Sequence, residues 1–188
     1  MRLSALFSFI FLLITGIAGA SDGGGRHSGP AKDPASFPKP PITTDRLFYV
    51  QRDPNANTIV YDINMGSDGQ PDADEPVKVY WIKYAEKGQR QDLNFIQRKF
   101  AYGINAKPLG NGSYDIRFVS YKKFGLTLKK ASDGKYHIFT TILQKQAILS
   151  SIFVKVEGGS FWFPNVPYVE VKGIDPQTNK EMVERFKP

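Results

Sequence analysis

Short runs of alternating apolar and polar residues, joined by tight turns, fill most of this 188-residue chain beyond residue 46. In the run 113–121, Tyr114, Ile116 and Phe118 alternate with more polar neighbours, which predicts a strand with one buried face. The dipeptide Asn111-Gly112 precedes this run and favours a type I′ hairpin, because that turn needs positive φ at both central residues. Strands joined by such short turns must be antiparallel, since a parallel pair needs a crossover of about a dozen residues.

The same criteria predict nine strands along the chain. They cover residues 47–51, 58–63, 77–84, 104–109, 113–121, 126–130, 136–143, 147–157 and 166–172. An antiparallel meander of this kind closes into a barrel or folds into a sandwich. We therefore expect a mainly β domain over residues 46–176, an antiparallel meander forming a β-barrel-like or β-sandwich domain with one short α-helix.

The predicted helix lies between the third and fourth of these strands. Leu93, Ile96 and Phe100 follow one another at the spacing of a single helical face, which predicts an amphipathic helix within residues 91–102. Gly103 stands where a C-cap glycine is common. The pattern predicts that the three apolar side chains face the core.

The first twenty residues have the pattern of a signal peptide. A basic residue, Arg2, precedes the uncharged apolar run 3–18, and Ala18-Gly19-Ala20 supplies a signal-peptidase site. A membrane anchor is the rival interpretation, but the run is short for a bilayer span and no basic cluster follows it. We expect an exported protein, periplasmic or extracellular after cleavage, with no transmembrane segment in the mature chain.

Two polar segments flank the predicted domain. Residues 21–45 contain three consecutive glycines and five prolines with few large apolar groups, which predicts a disordered tether. Residues 177–188 are predicted to be a polar, loosely held C-terminal tail.

Positive charge is concentrated in the middle of the chain. Residues 45–75 carry a net charge of −5, whereas residues 76–157 hold fifteen basic and five acidic side chains, a net charge of +10. Such a field is typical either of a solvated surface or of a docking surface for an anionic polysaccharide, a lipid head group or an acidic protein surface. Nucleic acid is not expected as a partner, because an exported protein rarely meets it and no ribonucleoprotein-type motif is present.

Several classes of chemistry have no support in the sequence. The chain has no cysteine and two histidines, which excludes thiol nucleophiles and cysteine-ligated metals. His137 lies in a predicted strand, and no nucleophile-elbow motif exists. Catalytic residues are therefore unknown, and we predict no metal and no cofactor. Whether the acidic loop 68–75 binds calcium weakly stays open.

The densest polar cluster lies where the third strand leads into the helix. A helix entry with nearby guanidinium groups is a natural seat for an anion. The candidate ligand-binding residues are Lys83, Tyr84, Glu86, Arg90, Arg98 and Lys99. We expect a non-enzymatic binding or docking module for an anionic ligand or an envelope partner. The alternative is a hydrolase-type enzyme of the cell envelope that uses Glu86 and Arg90 with Tyr84 or His137.

Several strings in the chain resemble one protein family. They are residues 79–84, 88–90, 96–103, 120–123 and 156–159, which read VYWIKY, GQR, IQRKFAYG, SYKK and VEGG. Together they are similar to an exported family known as domain of unknown function 4833, over about residues 47–173. The resemblance supports the domain boundaries and implies no activity, cofactor or catalytic residue.

Overall fold

The computed structural model describes residues 36–52, 56–158 and 165–188. The predicted signal peptide and residues 21–35 of the predicted tether lie outside these ranges.

The described residues form eleven strands in one curled half-barrel sheet. The strands are β1 (Arg46–Arg52), β2 (Thr58–Ile63), β3 (Val77–Lys83), β4 (Gln89–Asp92), β5 (Ile104–Gly110), β6 (Ser113–Phe118), β7 (Leu126–Lys130), β8 (Tyr136–Ile142), β9 (Lys145–Lys155), β10 (Tyr168–Ile174) and β11 (Glu181–Phe186). The mainly β fold class is confirmed. Asn111 and Gly112 both have positive φ, at 51° and 68°, as the predicted hairpin requires.

The long strand β9 joins two four-stranded meanders. β1–β4 form a first wing and β5–β8 a second wing, and both attach to the same edge of β9 at successive positions. β10 pairs with the other edge of β9, and β11 pairs with β10. The β1–β9 pair is parallel and every other strand pair in the described residues is antiparallel. The sequence did not indicate the parallel pair, since no local turn links these distant segments.

The core lies on the concave face of the curled sheet, where the two wings meet. Phe48 and Tyr61 of the first wing stack with ring centroids 4.3 Å apart. Phe118 of the second wing packs edge-on against both rings, at 6.1 and 5.8 Å. Such aromatic contacts stabilise by about 0.5–1.5 kcal/mol beyond area burial. The two wings therefore share the apolar interior on this face.

The helix exists, but its predicted extent and buried face were wrong. Residues 89–92 form β4, and the helix, named α1, comprises an α-helical turn Phe95–Gln97 and a π-helical turn Arg98–Tyr102. Asn94 and Gln97 cap its start reciprocally, at 2.9 and 3.0 Å. Ile96 and Phe100 are exposed, whereas Ala101 and Tyr102 are buried. The wider π turn shifts the last residues away from the 3.6-residue period, so Tyr102 faces the core.

The predicted C-terminal tail was also wrong, because β11 lies within it. The strand pairs with β10 from Glu181 opposite Ile174 to Phe186 opposite Val169. Met182 and Phe186 pack against the core, and the charged residues between them conceal this alternation in the sequence. Arg185 Nε donates to buried Glu170 Oε2 at 2.5 Å, and Lys172 Nζ lies 3.4 Å from Glu170 Oε1.

Arg185→Ala is expected to lower the free energy of unfolding by about 1.5–3 kcal/mol, because it removes a charge-assisted hydrogen bond from a buried carboxylate. Urea denaturation followed by circular dichroism measures the change. Lys187→Ala, just beyond β11 and exposed, is the matched control and is expected to leave stability unchanged. Equal stability of the two variants would contradict a structural role for β11.

The packed part of the chain begins before the predicted boundary at residue 46. Phe37 is buried and its ring lies 5.8 Å from that of Phe153. Gln51 Nε2 donates to Pro38 O at 2.8 Å, and Tyr84 OH donates to Lys39 O at 3.0 Å. These contacts fix residues 37–39, named the strap, on the convex face of the sheet. An isolated aromatic residue between prolines gave no periodic signal for this docking.

Tyr84→Phe is expected to loosen the strap, since it removes the hydrogen bond from the Tyr84 hydroxyl to the Lys39 carbonyl oxygen. A hydrogen bond of this kind contributes about 0.5–1.5 kcal/mol, so amide exchange at Phe37 and Lys39 should accelerate roughly two- to tenfold. Hydrogen exchange followed by NMR measures this. Tyr49→Phe is the control, because no hydrogen bond in the described residues joins the Tyr49 hydroxyl to the strap. Unchanged exchange in Tyr84→Phe would contradict the assignment.

Candidate functional site

The six residues predicted from the sequence as a ligand site do not converge in the structure. Lys83 ends β3, and its Nζ atom lies 3.4 Å from Glu86 Oε1. Arg90 stands opposite Ile82 in β4, and its guanidinium lies 3.7 Å from the centre of the Tyr80 ring on the convex face. The interactions of these residues thus divide between the two faces of the first wing.

The other three predicted residues have separate neighbours. Arg98 forms an ion pair with Glu75 across a cleft between the acidic loop and the start of β5. Lys99 Nζ lies 5.3 and 5.4 Å from the ring centres of Phe95 and Phe100. Tyr84 donates a hydrogen bond from its hydroxyl to the Lys39 carbonyl oxygen of the strap. The six residues are neighbours along the chain and contact different parts of the molecule.

The residues of the alternative enzymatic site lie apart as well. His137 is in β8 of the second wing, where its Nε2 atom lies 2.8 Å from Asp133 Oδ2. The backbone amide of Lys135 and then His137 lower the pKa of the Asp133 carboxyl. None of the contacts that the structure gives within the described ranges links this pair to Glu86 or Arg90. The contacts thus do not bring His137 together with Glu86 and Arg90.

Two carboxylates of the acidic loop 68–75 accept backbone amides within the loop. Asp68 Oδ1 accepts the Gln70 amide at 3.0 Å, and Asp72 Oδ1 accepts the Asp74 and Glu75 amides at 3.0 and 2.8 Å. Such turns need no ion to hold their shape. No group of three or more potential metal-ligating side chains occurs in the described parts of the chain.

A different cluster lies on the concave face, and it begins with Arg52. Phe48, Val50 and Arg52 alternate onto this face of β1. Arg52 is only 5% exposed, and its Nε atom is enclosed without a hydrogen-bond partner in the part of the chain that the structure describes. An enclosed donor left unpaired costs about 1–3 kcal/mol, and more when it belongs to a charged group.

Trp81 presents the second enclosed donor on the same face. It lies in β3, two strands from β1, and is 7% exposed. Its Nε1 atom also has no hydrogen-bond partner among the described residues. Arg52 Nε and Trp81 Nε1 are the two buried side-chain polar atoms without a partner in those residues, and both are donors.

Tyr102 packs against Trp81 and lies within electrostatic reach of Arg52. Its ring lies 4.8 Å from the Trp81 ring at an interplanar angle of 78°. Burial raises the pKa of the Tyr102 hydroxyl, and the positive charge of Arg52 acts in the opposite direction. Tyr61 OH donates to the Tyr102 carbonyl oxygen at 2.9 Å and fixes the backbone at the end of α1. We call Arg52, Trp81 and Tyr102 the concave donor site.

One predicted residue, Lys83, lies at the border of this site. It follows Trp81 by two positions and therefore shares the concave face. Gln51 pairs with Thr58 and Thr58 with Ile82, so the next row of the sheet runs from Arg52 through Asn57 to Lys83. Lys83 is thus a second cation in the same row of the sheet as Arg52, two strands away.

An apolar cavity of about 40 Å³ adjoins the concave donor site. Val50 and Val154 line it and are the nearest neighbours of Arg52 on the same face of the sheet. Val50 lies two positions before Arg52 in β1, and Val154 lies opposite Arg52 in β9. Tyr102 also lines it, together with Tyr61, Phe118 and Ile152. Arg52 and Trp81 do not line the cavity, so a ligand of the two donors would reach it past Tyr102 and the two valines.

The sequence signal for this site was weak. Arg52 belongs to the acidic segment 45–75, and Trp81 has the pattern of an ordinary core residue. Period-two alternation does place both on the apolar face of their strands. A charged residue at the end of an apolar strand face was the signal that could have indicated the site.

Comparison with known proteins gives one match. A family model described as Domain of unknown function (DUF4833) matches residues 48–185, which include Arg52, Trp81 and Tyr102. No curated protein and no solved structure matches the chain significantly. Within the described residues, no helix has the length and apolar character needed to cross a bilayer.

Proposed function

This chain belongs to the DUF4833 family, an uncharacterised domain family, and we propose that it binds an anionic ligand without transforming it. One observation carries the proposal: two enclosed donors, Arg52 Nε and Trp81 Nε1, face the concave interior with no acceptor among the described residues. The ligand supplies the missing acceptor.

The energetics of burial favour a ligand over a purely structural role. Two unpaired donors together destabilise the fold by several kcal/mol, which is a large part of the net stability of a typical domain. An apolar residue at either position would avoid this cost. An anion bound between the donors offsets it, because hydrogen bonds to charged groups are about twice as strong as neutral ones.

Charge and location complete the proposal. The net charge of +10 over residues 76–157 attracts anions toward the sheet. We propose that the protein is exported and meets its ligand in the periplasm or outside the cell. An enclosed guanidinium suits one anionic group, whether that group belongs to a polysaccharide, a lipid head group, an acidic protein or a small free acid.

NMR of the full chain tests this function directly. The sequence has two tryptophans, so the spectrum contains two indole N–H signals, and Trp81→Phe assigns one of them. Addition of sodium acetate or sodium phosphate, against sodium chloride at equal ionic strength, is expected to shift the Trp81 signal in a saturable way. If both anions leave that signal at its chloride position, the proposed function is wrong.

A further inference from the structure

We propose that the ligand of the concave donor site is a small monocarboxylate with a short aliphatic substituent. This inference rests on the proposed anion-binding function and specifies the chemical class of the ligand.

The charge of the site selects a carboxylate over a phosphate. Among the described residues, Arg52 is the one cation enclosed at the site, and Lys83 at the border is already engaged by Glu86 at 3.4 Å. A singly charged carboxylate is balanced by one guanidinium, whereas a phosphate dianion would keep an uncompensated charge in a buried place. A carboxylate also presents two oxygens to a guanidinium edge and leaves a lone pair for an indole donor.

The adjoining cavity selects the substituent. Its volume of about 40 Å³ is roughly a quarter of that of an apolar cavity of about 150 Å³ that holds benzene. Its walls are mostly apolar, so a short aliphatic group fits and a long acyl chain does not. Val50 and Val154 border both Arg52 and the cavity, which places the aliphatic group directly beside the carboxylate.

Titrations of the full chain with five probes test the assignment, with the Trp81 indole signal as the readout. The probes are acetate, isobutyrate, octanoate, isobutyramide and inorganic phosphate. Isobutyrate is expected to bind about tenfold more tightly than acetate, since it buries two further carbons. Isobutyramide has the same shape without the charge and is expected to bind at least about 30-fold more weakly than isobutyrate.

A cavity-filling variant provides the matched control. Val154→Ile adds one methylene group at the cavity wall and is expected to weaken isobutyrate binding more than acetate binding, so that most of the advantage of isobutyrate is lost. Val50→Ile makes the same change from the adjacent strand β1, so the test survives if one variant folds poorly. Equal loss of acetate and isobutyrate binding in both variants would overturn the assignment of the cavity.

The remaining outcomes separate this inference from the proposed function. Phosphate that binds at least as tightly as isobutyrate overturns the carboxylate assignment and leaves anion binding intact. Octanoate that binds more tightly than isobutyrate overturns the size limit. No response to any of the five probes overturns both the inference and the proposed function.

Discussion

Replacing Gly103 with alanine is expected to lower the free energy of unfolding by about 3 kcal/mol or more. An added Cβ would overlap the carbonyl oxygen of Arg98 and lie 2.9 Å from its carbonyl carbon, and both are backbone atoms. Gly103 has φ −64° and ψ 167°, which any residue adopts. The expected loss of stability therefore comes entirely from the close approach of the π turn. Relieving this overlap would displace the neighbouring Tyr102, which is a member of the concave donor site.

Gly69→Ala serves as the comparison for this variant. Gly69 has φ +73° with nothing within 4 Å of an added Cβ, so alanine there costs only the left-handed conformation, about 1–2 kcal/mol. Urea denaturation of both variants measures the difference. A Gly103→Ala protein as stable as Gly69→Ala would show that the end of α1 is not packed against Gly103.

Arg52→Met is expected to abolish the response to anions and to stabilise the fold. Anion affinity should fall at least about 30-fold, because the charged donor is lost from an enclosed site. The free energy of unfolding should rise by about 1–3 kcal/mol, since an unpaired buried donor is replaced by an apolar chain of similar length. Binding measured on the Trp81 indole signal and stability measured in urea should therefore change in opposite directions.

Lys155→Met is the matched control for Arg52→Met. Lys155 is 7% exposed and follows Val154, the partner of Arg52 across the parallel pair, so it is a buried cation at the same end of the sheet. It differs because its Nζ atom lies 3.7 Å from Glu157 Oε1. Its replacement should not stabilise the protein and should leave anion binding intact. Stabilisation of both variants would mean that the unpaired Arg52 donor has no special role.

Alternation and turn chemistry predicted most of the sheet because both are local signals. The run 58–63 and the run 126–130 coincide with β2 and β7, and Asn111-Gly112 forms the expected hairpin. The sequence did not predict β4, since its four residues are all polar and exposed. It did not predict β11 either, because charged residues conceal the alternation of that strand. The parallel β1–β9 pair depends on distant segments that share no turn.

The candidate site was harder to predict than the fold, for a physical reason. Lys83, Tyr84, Glu86, Arg90, Arg98 and Lys99 form a dense group in sequence, but strand alternation and the turn at residues 84–88 direct their contacts to different places. The concave donor site unites Arg52, Trp81 and Tyr102 from three separate elements. Its defining property is the absence of an acceptor in the described chain, which no single residue reveals.

The most direct test of the account locates the bound ligand itself. Isotope-filtered NMR with methyl-labelled isobutyrate and the full chain detects which protons lie within about 5 Å of the ligand methyl groups, a separation at which apolar groups are close neighbours. We expect transfer to the Trp81 indole and to the methyl groups of Val50 and Val154. Transfer instead to Phe95, Phe100 and the Lys99 side chain would place the ligand on the exposed helix and contradict binding at the concave donor site.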